Sequence, residues 1–135
     1  IERVYAAPVS AVWKALTDKE SMKQWYFEVD DFKAVPGFEF SFQGQGKEGE
    51  NYLHLCKVLE VVEEKSLSYS WRYDGYEGNS VVRFDLFPEG DKTKLVLTHS
   101  GLETFPREAD AFAKENFVEG WTYITGTALA AFVEK

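Results

Sequence analysis

The sequence predicts an α+β fold in which a curved antiparallel β-sheet packs around a long C-terminal α-helix, with two short helices after the first strand. Three observations lead there. Apolar and polar residues alternate in successive runs between residues 38 and 99, the period of half-buried strands. After Pro106 the apolar period becomes helical and stays so to the end of the chain. Aromatic residues make up 16% of the sequence, as Trp 4, Tyr 7 and Phe 11, and that much ring surface needs a sheet face with a cover over it.

Residues 1–6 alternate weakly and read as a short strand. Pro8 opens a helix, where its missing N–H costs nothing. Val9, Val12, Trp13 and Leu16 then form one apolar stripe. Thr17-Asp18-Lys19-Glu20 fits a capping box with Thr17 as the cap, which starts a second short helix running to about Trp25. Phe38, Phe40 and Phe42 alternate with Glu39, Ser41 and Gln43. Leu53 and Leu55 begin a long strand that reaches about Val62. Leu67, Tyr69, Trp71 and Tyr73 share one parity, as do Val82, Phe84 and Leu86, and Leu95, Leu97 and His99. Turn residues separate these runs, so the strands form an antiparallel meander. In the last segment Phe117, Trp121, Ile124, Ala128 and Phe132 recur every three or four residues. A helix over 106–135 would be about 40 Å long. Gly120 and Gly126 inside it point to a close approach or a bend. No linker, repeat or low-complexity stretch divides the chain, which reads as one domain over 1–135.

Charge and cysteine content narrow the function. The net charge is −8 and the pI near 4.8, a field that repels polyanions and disfavours nucleic acid and anionic membrane surfaces as partners. One cysteine, Cys56, permits no internal disulfide and suits a reducing compartment, most simply the cytoplasm. No apolar run is long enough to span a bilayer, and Ile1-Glu2-Arg3 shows no signal-peptide pattern.

Several residues resemble a known family. The opening Pro8-Val9-Ser10-Ala11-Val12-Trp13-Lys14-Ala15-Leu16-Thr17-Asp18 with Trp25 after it, then Thr98-His99-Ser100-Gly101, then Gly120-Trp121, resemble the START-like (SRPBCC) superfamily. The branch they resemble is that of activator of heat-shock protein 90 ATPase homologues. The resemblance spans the chain and implies a helix-grip fold, with a cavity between the sheet and the long helix. Relatives bind lipids, sterols, hormones or polyketides there, and some are cyclases. The eukaryotic chaperone activators carry a separate N-terminal domain, for which 135 residues leave no room.

Other motifs fit structure better than chemistry. Gly44-Gln45-Gly46-Lys47-Glu48-Gly49 matches GxGxxG, but strand-like Tyr52-Leu53-His54 follows where a dinucleotide site needs a helix, so it reads as a hairpin loop. His54 and His99 lack a third ligand at metal-binding spacing, and nothing points to a cofactor. Cys56 reads as a buried apolar residue. Asp30-Asp31 and Glu63-Glu64 read as solvated turns, Arg72 and Arg83 as outward-facing, and Glu108, Asp110, Glu115 and Glu119 as the wet face of the last helix.

The aromatic set carries the functional reading. Phe40, Phe42, Tyr69, Trp71, Tyr73 and Phe84 share one sheet face if the parities hold, and Phe117, Trp121 and Ile124 face them from the helix. Trp25 sits at the mouth with Tyr26, and His99 supplies a polar anchor. An aromatic face can simply be a filled core. It can also line an apolar pocket with a few polar groups, which is how small-molecule sites are built. The favoured function is binding of a small hydrophobic or aromatic molecule, for which Trp71→Ala or Trp121→Ala should weaken binding more than the fold. The alternatives are a polyketide cyclase or aromatase-like enzyme using His99 or a Tyr as acid–base, and a chaperone-interaction module. Exposed rings could also build a homodimer face.

Overall fold

The computed structural model describes residues 1–26, 29, 31–45, 51–105 and 114–134. A single curved, unclosed sheet of six antiparallel strands has the order β1-β6-β5-β4-β3-β2. Its strands are β1 (Glu2–Tyr5), β2 (Glu39–Gln45), β3 (Asn51–Val62), β4 (Ser66–Tyr73), β5 (Ser80–Glu89) and β6 (Lys92–Ser100). Strands β2 to β6 form the expected meander. The two helices α1 (Val9–Thr17) and α2 (Lys19–Trp25) carry the chain from β1 at one edge to β2 at the other.

Parity assigns the inner face as expected on four strands. Phe40 and Phe42, then Leu67, Tyr69, Trp71 and Tyr73, then Val82, Phe84 and Leu86, then Leu95 and Leu97 are all buried. Arg72 and Arg83 are exposed on the outer face, where Arg83 pairs with Asp85 at 3.0 Å and with Glu60 at 3.6 Å. Such wet pairs add little stability.

Strand β3 differs. The leucines that mark it in the sequence are not its inner residues: Leu53 and Leu55 are partly buried on the outer side, while His54, Cys56 and Val58 point inward. Cross-strand pairing enforces this, because His54 opposes Phe42 and Cys56 opposes both Phe40 and Trp71. The register against β4 then slips between Val58 and Glu60, leaving Leu59 as an extra, exposed residue. That bulge returns Val61 to the inner side opposite Leu67. Glu63-Glu64 forms the β3–β4 turn, with Glu64 at φ 60°.

Gly44 shows how tightly His54 is held. A Cβ at Gly44 would lie 2.6 Å from His54 Cε1. The ring is fixed by Phe42, Trp71 and Tyr73 with centroids 4.5–4.9 Å away, so it cannot swing aside cheaply. Gly44→Ala is therefore expected to destabilise the protein by about 1–3 kcal/mol, measured by urea denaturation. The hairpin reading of residues 44–49 agrees with the pairing of Gln45 with Asn51, after which the chain continues as strand rather than helix. Residues 46–50 lie outside the described residues.

The helices bring two corrections. Pro8 stands one place before α1 as its cap, its carbonyl accepting from the Ala11 and Val12 N–H groups at 3.0 and 3.2 Å. Thr17 does not cap α2: it is the last residue of α1, and its hydroxyl donates to the Trp13 carbonyl at 2.8 Å. Asp18, in an extended conformation, is the cap instead, accepting from Ser21 N–H at 3.1 Å and from the Ser21 hydroxyl at 2.8 Å. The first helix simply runs one residue further than its apolar stripe shows.

The C-terminal helix is described from Lys114, so its expected start at 106, with Glu108 and Asp110, lies outside the described residues. It consists of α3 (Lys114–Tyr123), a π-helical segment (Ile124–Ala128) and α4 (Leu129–Val133). In the π segment the Leu129 N–H reaches five residues back to the Ile124 carbonyl. Tyr5 donates its hydroxyl to the Thr125 carbonyl at 2.7 Å, tying β1 to the widened turn. Widening also moves the buried stripe. Thr125 and Leu129 are buried, whereas the expected Ile124, Ala128 and Phe132 are only partly so. Gly126 is a close approach, since a Cβ there would lie 3.2 Å from Arg3 Nη2. Gly120 is not, because a Cβ there would meet open space.

Candidate functional site

Sheet and helix bring most of the expected rings together. Trp71 is central: its ring lies 5.6 Å from Phe42, 5.6 Å from Trp121 and 5.4 Å from His99, centroid to centroid. Trp121 reaches down from α3 and touches Phe84 at 6.0 Å. Phe117, one turn earlier, sets its edge on His99 at 5.1 Å and stacks on Phe105 at 6.0 Å. Phe40 packs on Tyr69 at 5.2 Å, and Tyr73 packs on Phe105 at 5.2 Å. At the end of α2, Trp25 stacks on Tyr26 at 5.0 Å, and Tyr26 stacks on Trp121 at 6.1 Å. These contacts are mostly edge-on or offset, the arrangements favoured by ring quadrupoles. Ile124 is the outlier, partly buried at the margin because of the π turn.

The polar groups on these rings form a closed chain. Trp121 Nε1–H donates to His99 Nδ1 at 3.0 Å. An indole nitrogen can only donate, so Nδ1 must be the unprotonated nitrogen. Nε2 then carries the proton and donates to Ser80 Oγ at 2.8 Å, and the Ser80 hydroxyl donates to the Trp71 carbonyl at 2.8 Å. Ser80 and His99 therefore have the spacing of a nucleophile and its base but the wrong proton direction. Ser80 is also almost fully buried. Burial holds the His99 ring neutral, with its pKa pushed down to about 4.

The second histidine joins the same cluster, which its sequence position did not suggest. His54 stacks on Phe42, and its Nδ1 lies 3.0 Å from the Tyr52 carbonyl. Burial pushes its pKa down to about 4, against a smaller opposing effect of backbone hydrogen bonds. Trp25 Nε1 donates to the Ala15 carbonyl and Trp71 Nε1 to the Tyr73 hydroxyl. Tyr26 and Tyr69 join their hydroxyls at 2.8 Å. Burial raises the pKa of both phenols and of the Cys56 thiol, so none ionises near neutral pH.

Phe32, Phe105 and Ser80 also belong to this interior and carried no signal, because each sits in or beside a loop. A separate groove of about 470 Å³ lies on the opposite, outer face over β2, β3 and β4, with Ser41, Leu55, Lys57, Ser70 and Arg72 along it. Among the described residues no three or more of His, Cys, Asp and Glu come together as a metal site would require.

The sequence pattern of a known family, described as "Activator of Hsp90 ATPase homolog 1-like protein", matches residues 6–134. The chain belongs to that family. Solved structures agree with the helix-grip fold. Protein CV1439 from Chromobacterium violaceum has a TM-score of 0.84 at 24% identity, covering 100% of this chain and 95% of its own. BH1534 from Bacillus halodurans has a TM-score of 0.76 at 29% identity, covering 99% and 96%. CalU16 from Micromonospora echinospora has a TM-score of 0.72 at 28% identity, covering 98% and 73%. No curated protein sequence matches the chain. Among the described residues no helix is long and apolar enough to cross a membrane.

Proposed function

We propose that this protein binds a small hydrophobic or aromatic molecule between the concave face of the sheet and the C-terminal helix. The observation that supports it is the concentration of rings there: Phe42, Trp71 and Tyr69 from the sheet meet Trp121 from α3 and Tyr26 from α2 around a few hydroxyl and N–H groups. Apolar walls with sparse polar groups suit an apolar guest, whose burial contributes about 25 cal/mol per Å² before the entropic cost of association. The outer groove is lined largely by charged and polar residues, with Phe40 its one aromatic residue. The single buried cysteine fits a cytoplasmic protein.

Neither alternative has a comparable support. A cyclase-type enzyme needs a proton donor or acceptor turned to its substrate, and both ring nitrogens of His99 are taken up by Trp121 and Ser80. A chaperone partner is suggested by the family's name alone.

Native mass spectrometry of freshly purified protein, followed by organic extraction, tests the proposal. A reproducible small-molecule adduct of apolar character is the expected result. A clean mass, together with no thermal shift across an apolar and aromatic compound library, overturns it. Repeated co-purification of one chaperone would favour the interaction module.

A further inference from the structure

Tyr26 sits in the aromatic interior as a guest would. Its ring stacks against Trp25 at an interplanar angle of 28° and against Trp121 at 19°, so two nearly parallel walls hold it. Phe42 closes a third side at 5.7 Å. Its hydroxyl meets that of Tyr69, a fully buried side chain. Trp25, Phe42, Tyr69 and Trp121 are buried, whereas Tyr26 retains some exposure, and it is attached just beyond the end of a helix of seven residues. Tyr26 thus lies at the edge of the cluster, on the segment after α2 rather than on the sheet.

We propose that Tyr26 is a built-in surrogate for the ligand, and that the ligand is a planar aromatic molecule bearing a hydroxyl or carbonyl oxygen that replaces the Tyr26 hydroxyl on Tyr69. This rests on the reading that the interior between sheet and helix takes a small molecule. The physical reason is the Tyr69 hydroxyl. A guest without oxygen that displaces Tyr26 leaves that buried hydroxyl unpaired, a penalty of about tenfold or more in affinity. A guest with oxygen restores the bond and keeps the two stacking walls. Tyr69 thus sets specificity, and Tyr26 competes with the ligand from within the chain.

Calorimetric titration with 2-naphthol and with naphthalene tests this on the whole protein and on three variants, Tyr26→Phe, Tyr69→Phe and Tyr26→Leu, each checked for folding by circular dichroism. The wild type is expected to prefer 2-naphthol by about tenfold. Tyr26→Phe and Tyr26→Leu remove the competing hydroxyl and should bind 2-naphthol roughly fivefold or more tightly, in line with the loss of one buried hydrogen bond. Tyr69→Phe should bind the two probes alike. If both probes bind every variant equally, or loss of the Tyr26 hydroxyl weakens 2-naphthol binding, the surrogate role is overturned while the pocket stands. If neither probe binds any of the four proteins, the surrogate role falls, while the small-molecule reading stands or falls on the native mass and the library screen.

Discussion

Trp121→Ala is expected to lower the free energy of unfolding by about 3–5 kcal/mol, read from urea or guanidinium denaturation. The ring is buried and in contact with Tyr26, Trp71, Phe84 and His99. Its loss removes a large apolar group from between sheet and helix. It also removes the Trp121 N–H donor from His99 Nδ1, which adds the cost of an unsatisfied acceptor. Trp121→Phe separates the two effects: it keeps most of the ring volume and should cost about 1–3 kcal/mol. Truncating Trp121 therefore carries a large folding cost beside the loss of binding expected from the sequence. A loss below about 1 kcal/mol for Trp121→Ala would mean that the ring borders open space, because filling packed volume is where the larger cost arises.

Stability is expected to fall steeply as pH drops from about 6.5 towards 5, before most carboxylates titrate. Both histidines have folded-state pKa values pushed down to about 4, below the ordinary 6.5 of the unfolded chain. Above pH 6.5 both states hold the rings neutral and stability is full. Below it the unfolded chain takes up protons that the folded protein refuses, so each unit of pH costs up to about 1.4 kcal/mol per histidine. By pH 5 each ring accounts for about 2 kcal/mol. His54 is the safer case, being almost fully buried, whereas His99 retains some exposure and its share is correspondingly smaller. Denaturation midpoints at pH 7.5, 6.5, 5.5 and 5.0 measure the slope. His54→Gln should flatten it by about half, whatever it does to stability at pH 7.5. An unchanged slope would show that the His54 ring is reached by water in the folded state.

Much of the architecture was legible because period-two and helical runs are local signals. Tyr69, Trp71 and Tyr73 on one parity of β4, and Arg72 outside it, follow from alternation alone. The three segments resembling the Hsp90-activator homologues lie in the matched region, and the helix-grip fold follows from them. What alternation could not give is which of two apolar parities faces inward. On β3 both parities carry apolar residues, and the pairing with Phe42, Phe40 and Trp71 turns His54 and Cys56 inward and Leu53 and Leu55 outward. Helix boundaries were shifted by single residues for the same reason. Thr17 does not cap α2 because α1 runs one residue past its apolar stripe, and the π turn brings Thr125 inward while Ile124 stays partly buried against the core.

Composition, period and motif order therefore carried the fold class, the aromatic interior and the family, all of which depend on residue type and spacing along one chain. The proton chain from Trp121 through His99 and Ser80 to Trp71, the seat of Tyr26 on Tyr69, and the inward turn of His54 came from contacts between residues far apart in sequence. Their geometry depends on register, on a bulge and on one widened helical turn. Each of these is a choice between arrangements with nearly equal local energies, and packing across the sheet–helix interface makes it.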